Sequence, residues 1–331
     1  MSFQDWGEER FIQYLAKQFP STNFIVGIGD DCAVIPGEQG MAWLVTTDAL
    51  VEGVHFLKDQ IAATDLGYKT VAVNVSDITA MGGEPKYAFL SIALPNAVDS
   101  TWVCNVIQGV KDACEKWEIL LLGGDTVGSK RDLFFNLTLM GSAMTARIKY
   151  RHQAEVGDVI CVSGYLGESG GGLKALQEKT AKTKDIEYLL RAHFHPEPNP
   201  KQGIWLAAQS GVHAMIDISD GLDCDLTRLI KSSQKGAVIE TSKLPLSGPL
   251  IRVSLEHGWD TLELALTGGE DYCLLLTVSA DAFESIQNSF QSTFRLPLFD
   301  IGHITSQSEE LIYHRQGEVI QTRYTNFDHF Q

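Results

Sequence analysis

Apolar residues in this chain repeat at two different periods, and the switches between them outline its elements. Phe11, Ile12, Leu15, Ala16 and Phe19 return at helical spacing and predict an amphipathic helix over 4–19. Short apolar runs at 24–28, 32–35 and 43–45 read as strands; the first enters Gly29-Asp30-Asp31 and the third ends in Thr46-Thr47-Asp48. Beyond them, Thr64 is placed to cap a helix that carries Val71, Asn74, Asp77 and Met81 on one face and stops at Gly82-Gly83. A strand over 87–94 closes at Pro95. A second amphipathic helix over 99–117 turns Trp102, Val103, Val106, Ile107, Val110, Cys114 and Trp117 inward. Strands over 119–122, ending in Gly123-Gly124-Asp125, and over 133–140 follow, and alternation puts Leu133, Phe135, Leu137 and Leu139 on one face of the second.

The pattern shifts at 145–155, where Arg147, Lys149, Arg151 and His152 gather ahead of Val156-Gly157-Asp158. A boundary is expected there, between a first domain at 1–148 and a second at 149–331. The second half resumes with a strand over 159–163 and a glycine-rich segment, 164–172, that opens a helix at Leu173. Residues 193–200 carry Pro196, Pro198 and Pro200 and read as irregular. A strand over 215–218 leads through Ser219-Asp220-Gly221 into a helix over 222–231. Strands over 262–266 and 272–278 flank Gly268-Gly269-Glu270-Asp271, and short strands fill 298–331. Helices recur between strands without strict alternation, so a mixed α/β (α+β) layering fits better than a doubly wound sheet.

A chain of 331 residues is long enough for two cores. Its net charge of −16 argues against a nucleic-acid partner, which calls for a basic face. An anionic ligand would have to arrive with metal ions, which invert the local field. The first residues show neither a basic nor an apolar leader region, and no apolar run is long enough to span a membrane. Six cysteines are scattered without a C-x-x-C pair and several sit in apolar runs, the pattern of reduced core thiols in a cytoplasmic protein.

The chemistry-bearing residues are acids. Asp77 and Glu84 are the only charges between Lys69 and Lys86, and a carboxylate on a buried helix must be paired, capped or bound to a cation. Most of Asp30, Asp31, Asp48, Asp125, Asp217 and Asp220 sit at a strand end or a glycine turn. One such acid is a common turn residue, but the repetition points to oxygen ligands for Mg²⁺, with Thr46 and Thr47 adding hydroxyl or carbonyl oxygens beside Asp48. No G-x-x-x-x-G-K-[ST] loop occurs, and Gly27-Ile-Gly29 lacks the third glycine of a dinucleotide fingerprint. The 164–172 amides offer either an anion site or a tight turn, and Arg151 either a phosphate clamp or a surface residue. His193 and His195 read as loop residues, and no nucleophile–base pair can be assembled from local spacing. Together these residues point to metal-dependent phosphoryl transfer.

Six segments in order, Gly27-Ile-Gly-Asp-Asp-Cys-Ala-Val34, Thr46-Thr-Asp-Ala-Leu-Val-Glu-Gly-Val-His-Phe56, Ala72-Val-Asn-Val-Ser-Asp-Ile-Thr-Ala-Met-Gly82, Gly123-Gly-Asp-Thr126, Ile216-Asp-Ile-Ser-Asp-Gly-Leu222 and Thr267-Gly-Gly-Glu-Asp-Tyr272, resemble the thiamine-monophosphate kinase family. That family belongs to the aminoimidazole ribonucleotide synthetase-like superfamily. The resemblance implies a two-domain aminoimidazole ribonucleotide synthetase-like fold and a homodimer whose N-terminal sheets pair into a β-barrel, which would cover the Leu133, Phe135, Leu137 and Leu139 face. It also implies Mg²⁺-dependent transfer of the ATP γ-phosphate to thiamine monophosphate, in a cleft between domains, giving thiamine diphosphate and ADP. Carried over by motif, Asp30, Thr46, Thr47, Asp48, Asp77, Asp125, Asp217 and Asp220 are Mg²⁺ ligands; Gly124, Asp125, Arg151 and Ser219 contact ATP; His55, Glu270 and Phe327 contact thiamine phosphate. No catalytic residue beyond the metal ligands is implied. A synthetase of the same superfamily with another acceptor, and a non-catalytic Mg-nucleotide binder, remain as other classes.

Overall fold

Two sheets, each built from its own stretch of chain, define the computed structural model, which describes residues 7–21 and 25–320. The described chain divides into one compact unit over 7–79 and 83–148 and another over 80–82 and 149–320. Phe327 lies outside the described residues.

The first unit begins with α1 (Glu8–Gln18), β1 (Ala33–Pro36) and β2 (Met41–Val51). It continues with α2 (Ala63–Ala80), β3 (Glu84–Pro95), α3 (Ser100–Lys116), β4 (Leu120–Ser129) and β5 (Phe134–Met144). The strand order is β1-β2-β5-β3-β4, antiparallel throughout except for the parallel β3–β4 pair. Register places Leu44, Thr46, Asp48 and Leu50 opposite Gly141, Leu139, Leu137 and Phe135. This is the face under α2: a methyl group added at Gly141 would meet the Ile78 side chain at 2.6 Å.

Among the expectations that change here, β4 does not end at Gly123-Gly124-Asp125 but runs through them to Ser129. β2 does not end at Thr46-Thr47-Asp48 but carries that triplet in mid-strand. Thr64 sits inside α2 and does not cap it. Leu133, Phe135, Leu137 and Leu139, the face that was to need a subunit partner, are already fully buried within the chain. The half-exposed face is the opposite one, with Trp43, Val45 and Thr47 on β2 and Asn136 and Thr138 on β5.

The second unit holds β6 (Val159–Val162), α4 (Glu168–Gln177), α5 (Lys184–Phe194), α6 (Pro200–Ala207), β7 (Val212–Asp217), α7 (Leu222–Ser233) and β8 (Gly236–Glu240). It then runs through α8 (Gly248–His257), α9 (Thr261–Thr267), β9 (Leu274–Val278), α10 (Ala280–Phe294), β10 (Phe299–Thr305), β11 (Leu311–Arg315) and β12 (Glu318–Ile320). Its seven strands lie in the order β12-β11-β8-β10-β6-β9-β7, with β8–β11 parallel. Ile160, Val162, Ile216, Leu226, Leu275 and Ile304 are part of the core on one side of the sheet.

The expected strand at 262–266 is helix α9, because Asp260 caps it by accepting from the Leu262 and Glu263 amides at 2.9 and 3.2 Å. α4 starts at Glu168, so Gly170, Gly171 and Gly172 lie inside it, against Gly268, Leu250 and Leu189. α5 extends to Phe194, which puts His193 on a helix, and Pro200 opens α6 at a position where its missing N–H costs nothing.

Candidate functional site

In the first unit, Asp48 stands on β2 and Asp77 on α2, which packs over it. Polar residues of α2 satisfy themselves within the helix: Thr70 Oγ1 donates to Leu66 O at 2.8 Å, Asn74 Nδ2 to Thr70 O at 3.1 Å and Thr79 Oγ1 to Val75 O at 2.7 Å. That frees Asn74 Oδ1 to accept the Asp48 amide at 3.1 Å and fix α2 against β2. Two residues earlier on the strand, Thr46 Oγ1 donates to Asp77 Oδ2 at 2.5 Å. The Asp77 carboxylate also lies within 4.8 Å of that of Asp31, while the Asp31 amide donates to Asp30 Oδ1 at 3.1 Å. Asp31 therefore joins Asp77, beside Asp30, the neighbour that the resemblance names as a ligand.

Other expected residues of this unit sit elsewhere. Thr47 Oγ1 makes hydrogen bonds with Asn136 Oδ1 at 3.2 Å and Thr138 Oγ1 at 3.1 Å, on the sheet face away from α2. Asp125 shares the row Ala49–Asn136–Ser91–Asp125, so it lies on that same outer face, and its Oδ1 accepts the Thr126 amide at 2.9 Å. Gly124 has φ 153° and no space for a side chain, since a Cβ would stand 1.7 Å from Leu90 O. His55 Nδ1 accepts the Val51 amide at 3.1 Å, which ties the ring to the end of β2.

In the second unit, β7 ends in Asp217, 2% exposed, and the chain turns through Ser219-Asp220 into α7. Asp225, fully buried on α7, accepts the Ser219 and Asp220 amides at 3.1 and 3.0 Å. Arg228 pairs with Asp225 Oδ1 at 2.8 Å and also with the Asp220 carboxylate. Cys224 stands within 4.8 Å of both acids, but burial pushes its thiol up to about 12, so no thiolate is available there at neutral pH. Arg151 lies on a short helical turn, 151–153, and its carbonyl accepts from Ser233 Oγ at 2.8 Å.

The Gly268–Tyr272 segment is stitched to its surroundings at every residue after the glycines. The Glu270 amide donates to Ser219 O at 2.7 Å and the Tyr272 amide to Ile218 O at 2.8 Å. Asp271 accepts from the Gly167 and Ser169 amides at 2.7 and 3.3 Å, so the anion at the start of α4 is the protein's own carboxylate. Burial pushes the Asp271 carboxyl up to about 7 despite those two bonds. Glu270 and Tyr272 hold φ of 56° and 49°, left-handed values that side chains adopt only when the surroundings enforce them. The Glu270 carboxylate meets His193 Nδ1 at 3.1 Å.

Thr46 and Asp31 offer a hydroxyl and a carboxylate oxygen beside the Asp77 carboxylate, donors that fit a hard cation such as Mg²⁺.

Comparison with known proteins gives a consistent result. Residues 29–143 match the AIR synthase related protein N-terminal domain, and residues 155–314 the corresponding C-terminal domain. The chain is 38% identical to the thiamine-monophosphate kinase of Escherichia coli over 310 residues, 92% of each chain. It is 32% identical to that of Bacillus subtilis over 290 residues, 87% of each. Among solved structures, AaThiL complexed with AMPPCP and TMP is 32% identical with a TM-score of 0.86, covering 99% of both chains. The thiamine monophosphate kinase of Aquifex aeolicus gives 32% and 0.82, covering 97% of this chain and all of that one.

Proposed function

The chain belongs to the thiamine-monophosphate kinase family of AIR synthase related proteins, and from that premise we propose how its residues divide the reaction. It transfers the γ-phosphate of ATP to thiamine monophosphate, giving thiamine diphosphate and ADP. What carries the reading is the pairing of Thr46 on β2 with Asp77 on α2, in a chain that matches kinases of this one specificity over 92% of its length.

The acceptor nucleophile is a phosphate oxygen, already anionic, so no general base is required. The Cys114, Cys161, Cys224 and Cys273 thiols are all pushed up by desolvation and are poor nucleophiles. Transfer is then direct and in line, and the task of the chain is to bring two polyanions together. Bound Mg²⁺ offsets their repulsion and the charge on the transferred group. Asp30, Thr46, Thr47, Asp48, Asp77, Asp125, Asp217 and Asp220 are proposed to hold it, Thr47 through its carbonyl because its hydroxyl faces Asn136 and Thr138. Asp31 joins them on the strength of its approach to Asp77. Gly124, Asp125, Arg151 and Ser219 are assigned to ATP. His55, Glu270 and Phe327 are assigned to thiamine monophosphate, with Glu270 facing the cationic thiazolium and Phe327 outside the described residues.

A homodimer completes the proposal. β4 forms a sheet edge with Leu120, Leu121, Leu122 and Val127 at 59, 44, 56 and 50% exposure, an apolar edge that a soluble chain normally covers. Incubation with Mg-ATP and thiamine monophosphate, followed by chromatography, tests the activity: thiamine diphosphate must accumulate in step with ADP. Turnover with a different acceptor only, or nucleotide binding without product, would overturn the assignment.

A further inference from the structure

We propose that His193 is a positioning residue for acceptor recognition, acting through Glu270; this rests on the reading that Glu270 faces the cationic acceptor. His193 closes the last turn of α5 and is 6% exposed, so it is placed to act on a neighbour and not on a ligand. Its Nδ1 stands 3.1 Å from Glu270 Oε2 and 3.0 Å from Ser169 Oγ. An ionised carboxylate only accepts, so Nδ1 carries the proton and donates to Glu270. The C-terminal end of a helix favours a cationic imidazole, and an imidazolium beside Glu270 favours the carboxylate form. Space for this ring is built in: a Cβ at Gly172 would stand 2.9 Å from His193 Cβ and 2.3 Å from Leu189 O.

Glu270 is thereby held at both ends. Its amide is tied to Ser219 O at 2.7 Å, its backbone is left-handed at φ 56°, and its carboxylate is tied to His193. Asp271 anchors the next residue to the start of α4, the helix that also supplies Ser169. A carboxylate fixed and ionised before the ligand arrives binds a cation more tightly than one that must be ordered on binding. The sequence signal for His193 was misleading because the prolines after it argue for a loop.

Steady-state kinetics with each substrate varied in turn separates the inference from the reading beneath it. His193→Gln moves the amide donor to the far side of the ring position and loses the bond to Glu270; His193→Asn keeps a donor near Nδ1. We expect His193→Gln to raise KM for thiamine monophosphate about tenfold with KM for ATP changed less than about twofold, and His193→Asn to recover most of the loss. In a Glu270→Ala background, His193→Gln should add nothing. An unchanged acceptor KM in Glu270→Ala would overturn the reading of Glu270 itself, and the positioning role with it. A raised acceptor KM in Glu270→Ala with no effect of His193→Gln would overturn the positioning role alone. So would equal rises in both KM values, or additive effects in the double variant. Should His193→Gln fail to fold, His193→Ala in the same cycle decides: a raised acceptor KM that is non-additive with Glu270→Ala supports the role, and an unchanged acceptor KM or an additive rise overturns it.

Discussion

Asp77 is costly where it stands, a carboxylate on a helix whose neighbours from Thr70 to Ser76 are all buried. Thr46 supplies one hydrogen bond at 2.5 Å, and Asp31 brings a second negative charge within 4.8 Å. Under the proposed function both acids are metal ligands, and Asp77→Asn keeps shape while removing charge. We expect it to lower kcat roughly 100-fold or more, with the melting temperature unchanged or raised. A near wild-type rate would contradict the assignment. Asp271 gives a residue-scale test of the second unit. Its folded pKa is raised, to about 7, above the ordinary value near 3.8, so the folded state retains a proton that the unfolded chain has lost between those limits. Its contribution to stability is therefore full below about 3.8 and is lost as pH rises toward about 7. Melting temperatures across that range should fall less steeply in Asp271→Asn than in the parent; parallel curves would show that Asp271 is not the titrating group.

At the scale of elements, α2 owes its place to glycine as much as to its apolar residues. A Cβ on Gly67 would stand 1.9 Å from Val106 O, and one on Gly109 of α3 would stand 1.9 Å from Thr64 O. The two helices meet backbone to backbone, closer than any side chain allows. Gly67→Ala should destabilise by about 1–3 kcal/mol through overpacking, read as a lower urea midpoint. Because α2 carries Asn74 and Asp77, a shift of the helix should also lower kcat, and an unchanged midpoint would refute the close packing. α9 teaches the converse: Leu262, Leu264 and Leu266 alternate like a strand, but one capping aspartate decides for the helix.

At the scale of the molecule, two properties can be tested directly. EDTA should abolish turnover and Mg²⁺ restore it, since the oxygen set leaves the negative phosphates otherwise unneutralised. Light scattering at micromolar concentration should give twice the chain mass, and Leu121→Glu on β4 should shift the protein toward the monomer. A monomeric mass with activity retained would sink the dimer. Among the described residues no helix is long and apolar enough to cross a membrane, consistent with the charged composition.

The sequence alone determined the mixed α/β class and most helices and strands, because apolar period and glycine punctuation are local signals, and it singled out the acids at 30, 31, 48, 77, 125, 217 and 220 as candidates. It also determined the family, since six ordered motifs are a statement about the linear chain. Only the tertiary structure decided which oxygens meet. Thr46 and Thr47 are adjacent in sequence, yet a strand turns successive side chains to opposite faces, so one hydroxyl reaches Asp77 and the other Asn136. Asp31 approaches Asp77 across 46 positions of chain, and His193 meets Glu270 across 77. The burial of Leu133, Phe135, Leu137 and Leu139 was likewise undecidable locally: alternation shows that a strand has an apolar face, but not whether a helix of the same chain or a second subunit covers it. Contacts of this kind depend on register and packing between distant elements, which no window of sequence contains.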